Sequence, residues 1–580
     1  MTDTDPPEND PAAFIERLAQ ASATEHSALK PILRQARIDL SEAGWQDMVA
    51  GFAARIEDAR SALLSPLTGS SEDKPNHTVE SFFGEVLGAL GLPLEPMIGL
   101  VAAALDERRD GNSWTVLSGF EQWCKAAQGR PRASVERIAG GDGPAALLAP
   151  ALRAGFADDE DWHRARALDL LEREDSEAAA IAGDVLAGDA QCPEHTVDRV
   201  LAAALARLPE LHARDHTRLF DAVIGLALRA RPARMPDVLA CADGQEIDTC
   251  RRAAAHHLAI ARGRPDERAA RALLEFVTQG EAIEPLAMDL LDDALRRWLP
   301  DEEPAGPSFD TLVALIGRSD VGNDQLDSCM HALLRMPTDK RDRVFGRILV
   351  QAGLAGADAV ASLAHRQISK QLEPVIDFAP YDLDAADAEA IIRRVTGLVS
   401  LAPRTAIAIL LSMLRTGPAG VREEAEALIF DPLLISFWED GRAYLASRID
   451  AEEPDVKARV EGLVARLDDY ITAVRGVGFI DELYPSQSNR YLAALKRAND
   501  NRAINKQAAE GSIWGEIFPM RLILNGDSAV FRVFDGDGIG KRAEQEMQAQ
   551  EFSQPLPRLD AIDPFGFWYR RRLMINGRNL

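Results

Sequence analysis

The chain has 580 residues, with 65 Lys and Arg against 92 Asp and Glu, a formal net charge of -27. Apolar residues make up 46% and charged residues 27%, the balance of a folded globular protein, which excludes wholesale disorder. The surplus of acid also excludes a general nucleic-acid-binding surface, because every phosphate would meet a repulsive field.

Residues 1–12 are acidic and have neither a basic n-region nor an apolar h-region, so they read as a disordered tail rather than a secretory signal. From about Asp10 to Gly476, Ala, Leu, Arg and Glu dominate and β-branched runs are few, which predicts helix throughout. Three helical segments are expected, at residues 13–140, 145–300 and 308–480. They are separated by joints rich in Pro, Gly and charge at Gln128–Pro144 and Pro300–Pro307, with a further joint at Thr68–Thr78. The apolar stretches Pro96–Leu105 and Thr405–Leu414 are about half the length a bilayer-spanning helix needs, so they predict buried helices and no membrane contact.

The helical periodicity is plain in His195–Leu208. There Val197, Val200, Leu201, Ala204, Leu205 and Leu208 share one face, and Asp198, Arg199 and Arg207 lie off it. Asp215–Arg231 repeats the pattern through Leu219, Phe220, Val223, Ile224 and Leu226. Pro265, Pro300, Pro403 and Pro432 punctuate starts and ends, and Gly263, Gly280 and Gly417 stand near stops. Spacing drifts around roughly 35–45 residues per helix pair, nearest the range of HEAT repeats, without a strict period. The fold class expected is mainly α: an irregular HEAT-like α-solenoid or multi-helix array with a small α+β C-terminal domain.

That last domain is expected at residues 481–580. It carries 14 Lys and Arg against 13 Asp and Glu, a net of +1, which leaves -28 on the first 480 residues. Eleven of the 34 aromatic residues lie there. Met520–Leu524 and Ala529–Phe534 flank Asn525-Gly526-Asp527, a hairpin-turn signal. Lys541–Gln550 reads as a helix and Phe567–Ile575 as a final strand.

Motifs for chemistry are incomplete. Gly536-Asp537-Gly538-Ile539-Gly540-Lys541 lacks the first Gly and the final Ser or Thr of a phosphate loop, and as a calcium loop it puts Ile539 where an oxygen belongs. His212 and His216 stand four apart without the glutamate base of a zinc protease. Cys241, Cys250, His256 and His257 match no zinc-module spacing. Asp289, Asp292 and Asp293 read as a salt-bridged face beside Arg296 and Arg297, and Asp158–Asp161 as an acidic helix start. The five scattered cysteines, Cys124, Cys192, Cys241, Cys250 and Cys329, suggest reduced thiols and a cytoplasmic protein. No catalytic residue, cofactor or metal is expected.

One cluster stands out. Phe567, Trp568 and Tyr569 run directly into Arg570, Arg571 and Arg572, joining stacking faces to guanidinium forks. On a strand, Phe567, Tyr569 and Arg571 would share one face and Trp568, Arg570 and Arg572 the other. This is the candidate contact for a partner protein or nucleic acid, weighed against an edge strand whose aromatics fill a small core. The function expected is a non-enzymatic scaffold or adaptor in a multi-protein system. Its concave, acidic repeat surface would hold a partner protein of basic or mixed charge. The alternative is nucleic-acid contact, through residues 481–580 alone. A helical enzyme with a site assembled across repeats is the third reading.

Overall fold

The computed structural model describes residues 10–24, 29–56, 63, 77–107, 113–173, 176–211, 213–242, 246–261, 263–367, 371–477, 486–510, 524–525, 528–534, 540–546 and 557–576. The chain divides into two compact units, Met1–Lys340 and Arg341–Leu580.

In the first unit one row of helices runs in chain order, each packed on the next. The row comprises His77–Ala89 (α1), Trp114–Lys125 (α2), Leu148–Gly155 (α3), Ser176–Gly188 (α4), Ala213–Ala230 (α5), Ile247–Ile260 (α6), Pro285–Trp298 (α7) and Asp327–Arg335 (α8). Arg130–Ala139, Glu160–Leu171, Glu194–Arg207 and Glu267–Thr278 lie against this row as a second layer. The arrangement is a helical-repeat, solenoid-like stack, in which each helix pair buries its apolar face against its neighbours. The expected faces are the buried ones: Val197, Val200, Leu201 and Ala204 in one helix, and Leu219, Phe220, Val223, Ile224 and Leu226 in α5. Each fully buried Leu or Phe contributes about 1.5–3 kcal/mol.

Helix starts follow local chemistry. Asp266 accepts the backbone N–H groups of Arg268 and Ala269 at 3.0 and 3.3 Å, and Glu284 accepts that of Ala287 at 2.9 Å ahead of Pro285. At one crossing glycine is required. A Cβ on Gly84 would sit 2.8 Å from the carbonyl oxygen of Thr115, so α1 and α2 reach this separation only without a side chain there.

The repeat that drifts in sequence is fixed by long-range hydrogen bonds. Arg231 donates to Asp198, 33 residues back, at 2.7 Å. Arg297 donates to the carbonyl of Ala261, 36 residues back, at 3.2 Å, and Arg318 to that of Thr278, 40 back, at 3.1 Å. Asp292 accepts the N–H groups of Ser328 and Cys329, 36 and 37 residues ahead, at 3.0 and 2.9 Å. The Arg231–Asp198 bond joins two side chains, whereas the bonds made by Arg297, Arg318 and Asp292 each satisfy a backbone group at a helix end of the adjacent repeat, where four such groups otherwise lack partners.

The second unit contains Gly353–Arg366 (α9), Ala385–Leu398 (α10), Pro403–Thr416 (α11), Pro454–Gly476 (α12) and Gln487–Glu510 (α13). The same inter-repeat spacing recurs, with Val375 donating to Asp342 at 2.8 Å and Ile376 to the Ser412 hydroxyl at 3.0 Å, 33 and 36 residues apart. Every residue from Thr405 to Leu414 in α11 is buried, so this apolar run is a core helix. Among the described residues no helix is long and apolar enough to cross a membrane. Leu524–Asn525 (β1), Ser528–Phe534 (β2) and Gly540–Glu546 (β3) pair antiparallel in that order, with Ala529 opposite Leu524 and Glu544 opposite Val530.

Several expectations are corrected here. Lys541–Glu546 lies in β3 rather than a helix, because pairing with β2 overrides its helix-forming composition; residues 547–550 lie outside the described residues. Phe567–Ile575 is not a strand but part of the helix Pro564–Ile575 (α14). Asp563 accepts the Gly566 N–H at 2.9 Å and Pro564 occupies the first turn, a combination that starts helices. This last helix packs on α10 of the helical array. The expected joint Gln128–Pro144 contains the helix Arg130–Ala139, and within Pro300–Pro307 the carboxylate of Glu302 is buried and pairs with Arg264 at 3.0 Å. Most of the acidic tail, most of the joint Thr68–Thr78, the turn residues Gly526 and Asp527, and residues 536–539 of the glycine-rich loop lie outside the described residues.

Candidate partner-binding sites

A groove of about 1010 Å³ opens on the first unit. Its walls come from five helices of one row, each presenting residues at helical spacing: Arg214, Thr217, Arg218 and Asp221 from α5, then Thr249, Arg252, Ala253 and His256 from α6. Leu286 and Leu290 of α7 form an aliphatic side, Leu286 being exposed. Pro150 and Arg153 of α3 and Leu117 of α2 complete it.

The charge of this groove departs from the acidic concave face expected from composition. Four arginines line it against two carboxylates, Asp221 and Glu246. Both carboxylates are engaged, Asp221 with His257 Nε2 at 3.1 Å and Glu246 accepting from the Thr249 hydroxyl at 3.2 Å. Arg153 pairs with Glu121 at 2.9 Å and Arg218 with Asp184 at 2.9 Å, so two guanidiniums are compensated from outside the lining. Arg214 is exposed and Arg252 half-buried, and neither has an ion-pair partner among the described residues. Sequence reasoning missed this site because its residues come from positions 113 to 290 and meet only through the stack. The available signal was a set of off-face arginines, Arg153, Arg214, Arg218 and Arg252, on three helices of the row.

The second candidate is the cluster singled out by sequence. On α14 the helical period replaces the strand period, so Phe567, Arg571 and Met574 turn inward and Phe565, Trp568, Tyr569 and Arg572 are exposed. Arg571 donates from Nε to the carbonyl oxygen of Gly397 in α10 at 2.6 Å and lies 4.8 Å over the Trp568 ring. Burial of its guanidinium lowers its pKa. Arg570 pairs with Asp431 at 3.6 Å, and Trp568 donates to Asp560 at 2.8 Å. Phe565 and Tyr569 stack with centroids 6.3 Å apart and planes 4° from parallel. Two of the three arginines thus serve packing within the second unit, which leaves little of the cluster for phosphate.

The remaining motifs are structural. His216 is buried, stacks on Phe220 and hydrogen-bonds the Cys241 carbonyl at 2.9 Å, while His212 lies outside the described residues. His257 hydrogen-bonds the Asp221 carbonyl at 2.7 Å. Asp293 pairs with Arg296 and Arg297 as expected, but Asp292 is buried and caps α8 of the next repeat. Asp159 accepts from Trp162 N–H at a helix start. Among the described residues no three His, Cys, Asp or Glu side chains are placed to hold a metal ion. Cys124, buried beside Ser134, has its thiol pushed up to about 12 by desolvation, and Cys329 is raised well above the usual range by burial and by Asp292.

No protein-family model matches the chain, and no curated protein sequence does. Among solved structures, an engineered protein is similar over 79% of this chain and 99% of its own, at 13% identity and a TM-score of 0.19. A mutant of Kap121p is similar over 79% of this chain and 48% of its own, at 14% identity and a TM-score of 0.26. Kap121p bound to Pho4p is similar over 80% of this chain and 52% of its own, at 11% identity and a TM-score of 0.27. The chain therefore spans about half the length of the Kap121p chains it matches. Superpositions this loose carry no argument about function, which rests on the geometry above.

Proposed function

We propose that the chain is a non-enzymatic scaffold that holds a segment of a partner protein in the groove of its first unit. The observation that carries this reading is an open groove walled by five helices of one row, α2, α3, α5, α6 and α7. Its volume of about 1010 Å³ sits at the top of the range for small-molecule pockets, about 300–1,000 Å³, and its lining, drawn from five helices, suits a chain segment. The groove hydroxyl of Thr249 donates to Glu246 rather than serving as a nucleophile beside His256. In this reading Phe567 and Arg571 hold α14 in place, and Phe565, Trp568 and Tyr569 form a secondary contact face.

The test is a photo-crosslinking amino acid placed at Leu286 in the full chain, exposed to extract of the native host. A defined set of crosslinked proteins is expected, lost when Leu290→Asp charges the aliphatic wall. Crosslinks that persist unchanged in Leu290→Asp, or an absence of crosslinked protein, would remove the groove from the function.

A further inference from the structure

We infer that the groove selects an acidic, aliphatic peptide segment whose carboxylates recur about every third residue, bound in extended form across α5, α6 and α7. The inference rests on the scaffold reading and adds the chemistry of the occupant.

Charge makes the first part of the case. Arg214 and Arg252 face the same groove, and neither has a carboxylate partner among the described residues. The two carboxylates that line the groove are already turned to His257 and Thr249. A ligand carboxylate therefore meets unsatisfied guanidinium forks, with which it can form bidentate, charge-assisted bonds. A basic segment would place ammonium or guanidinium groups against Arg214 and Arg252 and lose that match.

Spacing makes the second. Arg214 on α5 and Arg252 on α6 belong to helices packed directly on each other. Packed helices lie about 8–10 Å apart, and an extended peptide advances about 3.3 Å per residue. A peptide crossing from one arginine to the next thus advances about three residues. Leu286 and Leu290, four apart on α7, continue the path as an apolar wall for the peptide's aliphatic side chains.

The lining also decides between peptide and nucleic acid. It contains no Phe, Tyr or Trp, so bases would find no stacking face. A nucleic-acid strand would bring a phosphate at every step into the field of an acidic body, whereas a peptide brings a few carboxylates to two open arginines.

The test is selection of random displayed peptides on the immobilised full chain, run in parallel on Arg214→Glu/Arg252→Glu and on Leu286→Asp. A random single-stranded oligonucleotide pool serves as competitor. Enriched peptides should carry Asp or Glu about three positions apart among aliphatic residues. They should bind the arginine double variant roughly tenfold to a hundredfold more weakly. Arg214→Gln/Arg252→Gln, with an unchanged melting curve, should show the same loss and so separates charge from misfolding. Enrichment of neutral or basic peptides that still depends on Leu286 overturns the inference and leaves the scaffold reading standing. Enrichment indifferent to every groove substitution overturns both. Displacement of the peptides by the oligonucleotide pool at comparable concentration overturns the inference in favour of nucleic acid.

Discussion

Arg571 reaches across 174 residues of sequence to donate its Nε hydrogen to the carbonyl oxygen of Gly397 at 2.6 Å. The bond fixes the last helix, α14, to α10, and it depends on a backbone close approach. A Cβ on Gly397 would meet Ile575 Cγ1 at 2.8 Å and the Arg571 carbonyl oxygen at 3.2 Å.

Gly397→Val is therefore expected to lift α14 from α10 and expose Phe567 and Met574, whose burial is worth about 1.5–3 kcal/mol each. Arg571→Ala should cost less, about 1–3 kcal/mol, by leaving the Gly397 carbonyl without its donor. Limited proteolysis should clip residues 557–576 sooner in both, fastest in the valine variant. Wild-type cleavage rates in Gly397→Val would show that α14 is not held this way.

His365 of α9 is half-buried, and burial together with the Arg571 charge lowers its pKa below the usual imidazole value, against a smaller opposing effect of Asp358. The folded state thus binds fewer protons than the unfolded state as pH falls. Stability from this group is fully present above the unfolded value of about 6.5 and declines below it. Melting curves taken from about pH 7.5 to about pH 5.5 should show that decline, and Arg571→Gln should flatten it. An unchanged slope in Arg571→Gln would remove the charge contribution.

The aspartate cluster separates by burial. Asp292→Ala removes the acceptor for Ser328 and Cys329 N–H across a repeat boundary and should cost about 1–3 kcal/mol. Asp293→Ala breaks half-exposed pairs with Arg296 and Arg297 and should cost under about 1 kcal/mol. Hydrogen exchange should quicken at the start of α8 in the first variant and not in the second.

Thiol alkylation at mildly alkaline pH should leave Cys124 and Cys329 unmodified until denaturant is added, since burial raises both thiols and blocks access. Cys192 and Cys241, partly exposed with more modestly raised pKa, should react first in the native protein. Native-state labelling of Cys124 would contradict the closed packing around Ser134.

Helix positions and buried faces were legible because Leu and Val at three- and four-residue spacing report a face directly, as Val197 to Ala204 do. The repeat was less so. Its register lies in pairs such as Arg318–Thr278 and Asp292–Ser328, whose partners are backbone groups that leave no mark in sequence. The C-terminal helix was misread because three aromatics in a row resemble a strand. Asp563-Pro564 carried the correct signal, a helix cap followed by a proline in the first turn. The charge of the groove was hidden by averaging: a net of -27 says nothing about which arginines lack carboxylate neighbours.

The bonds at 33 to 40 residues have a mechanical consequence. Each ties a repeat to its immediate neighbour and to nothing further along, so a small rotation at one junction is passed on without tearing the next. Slight give at each junction would sum along the row and alter the width of the groove on it.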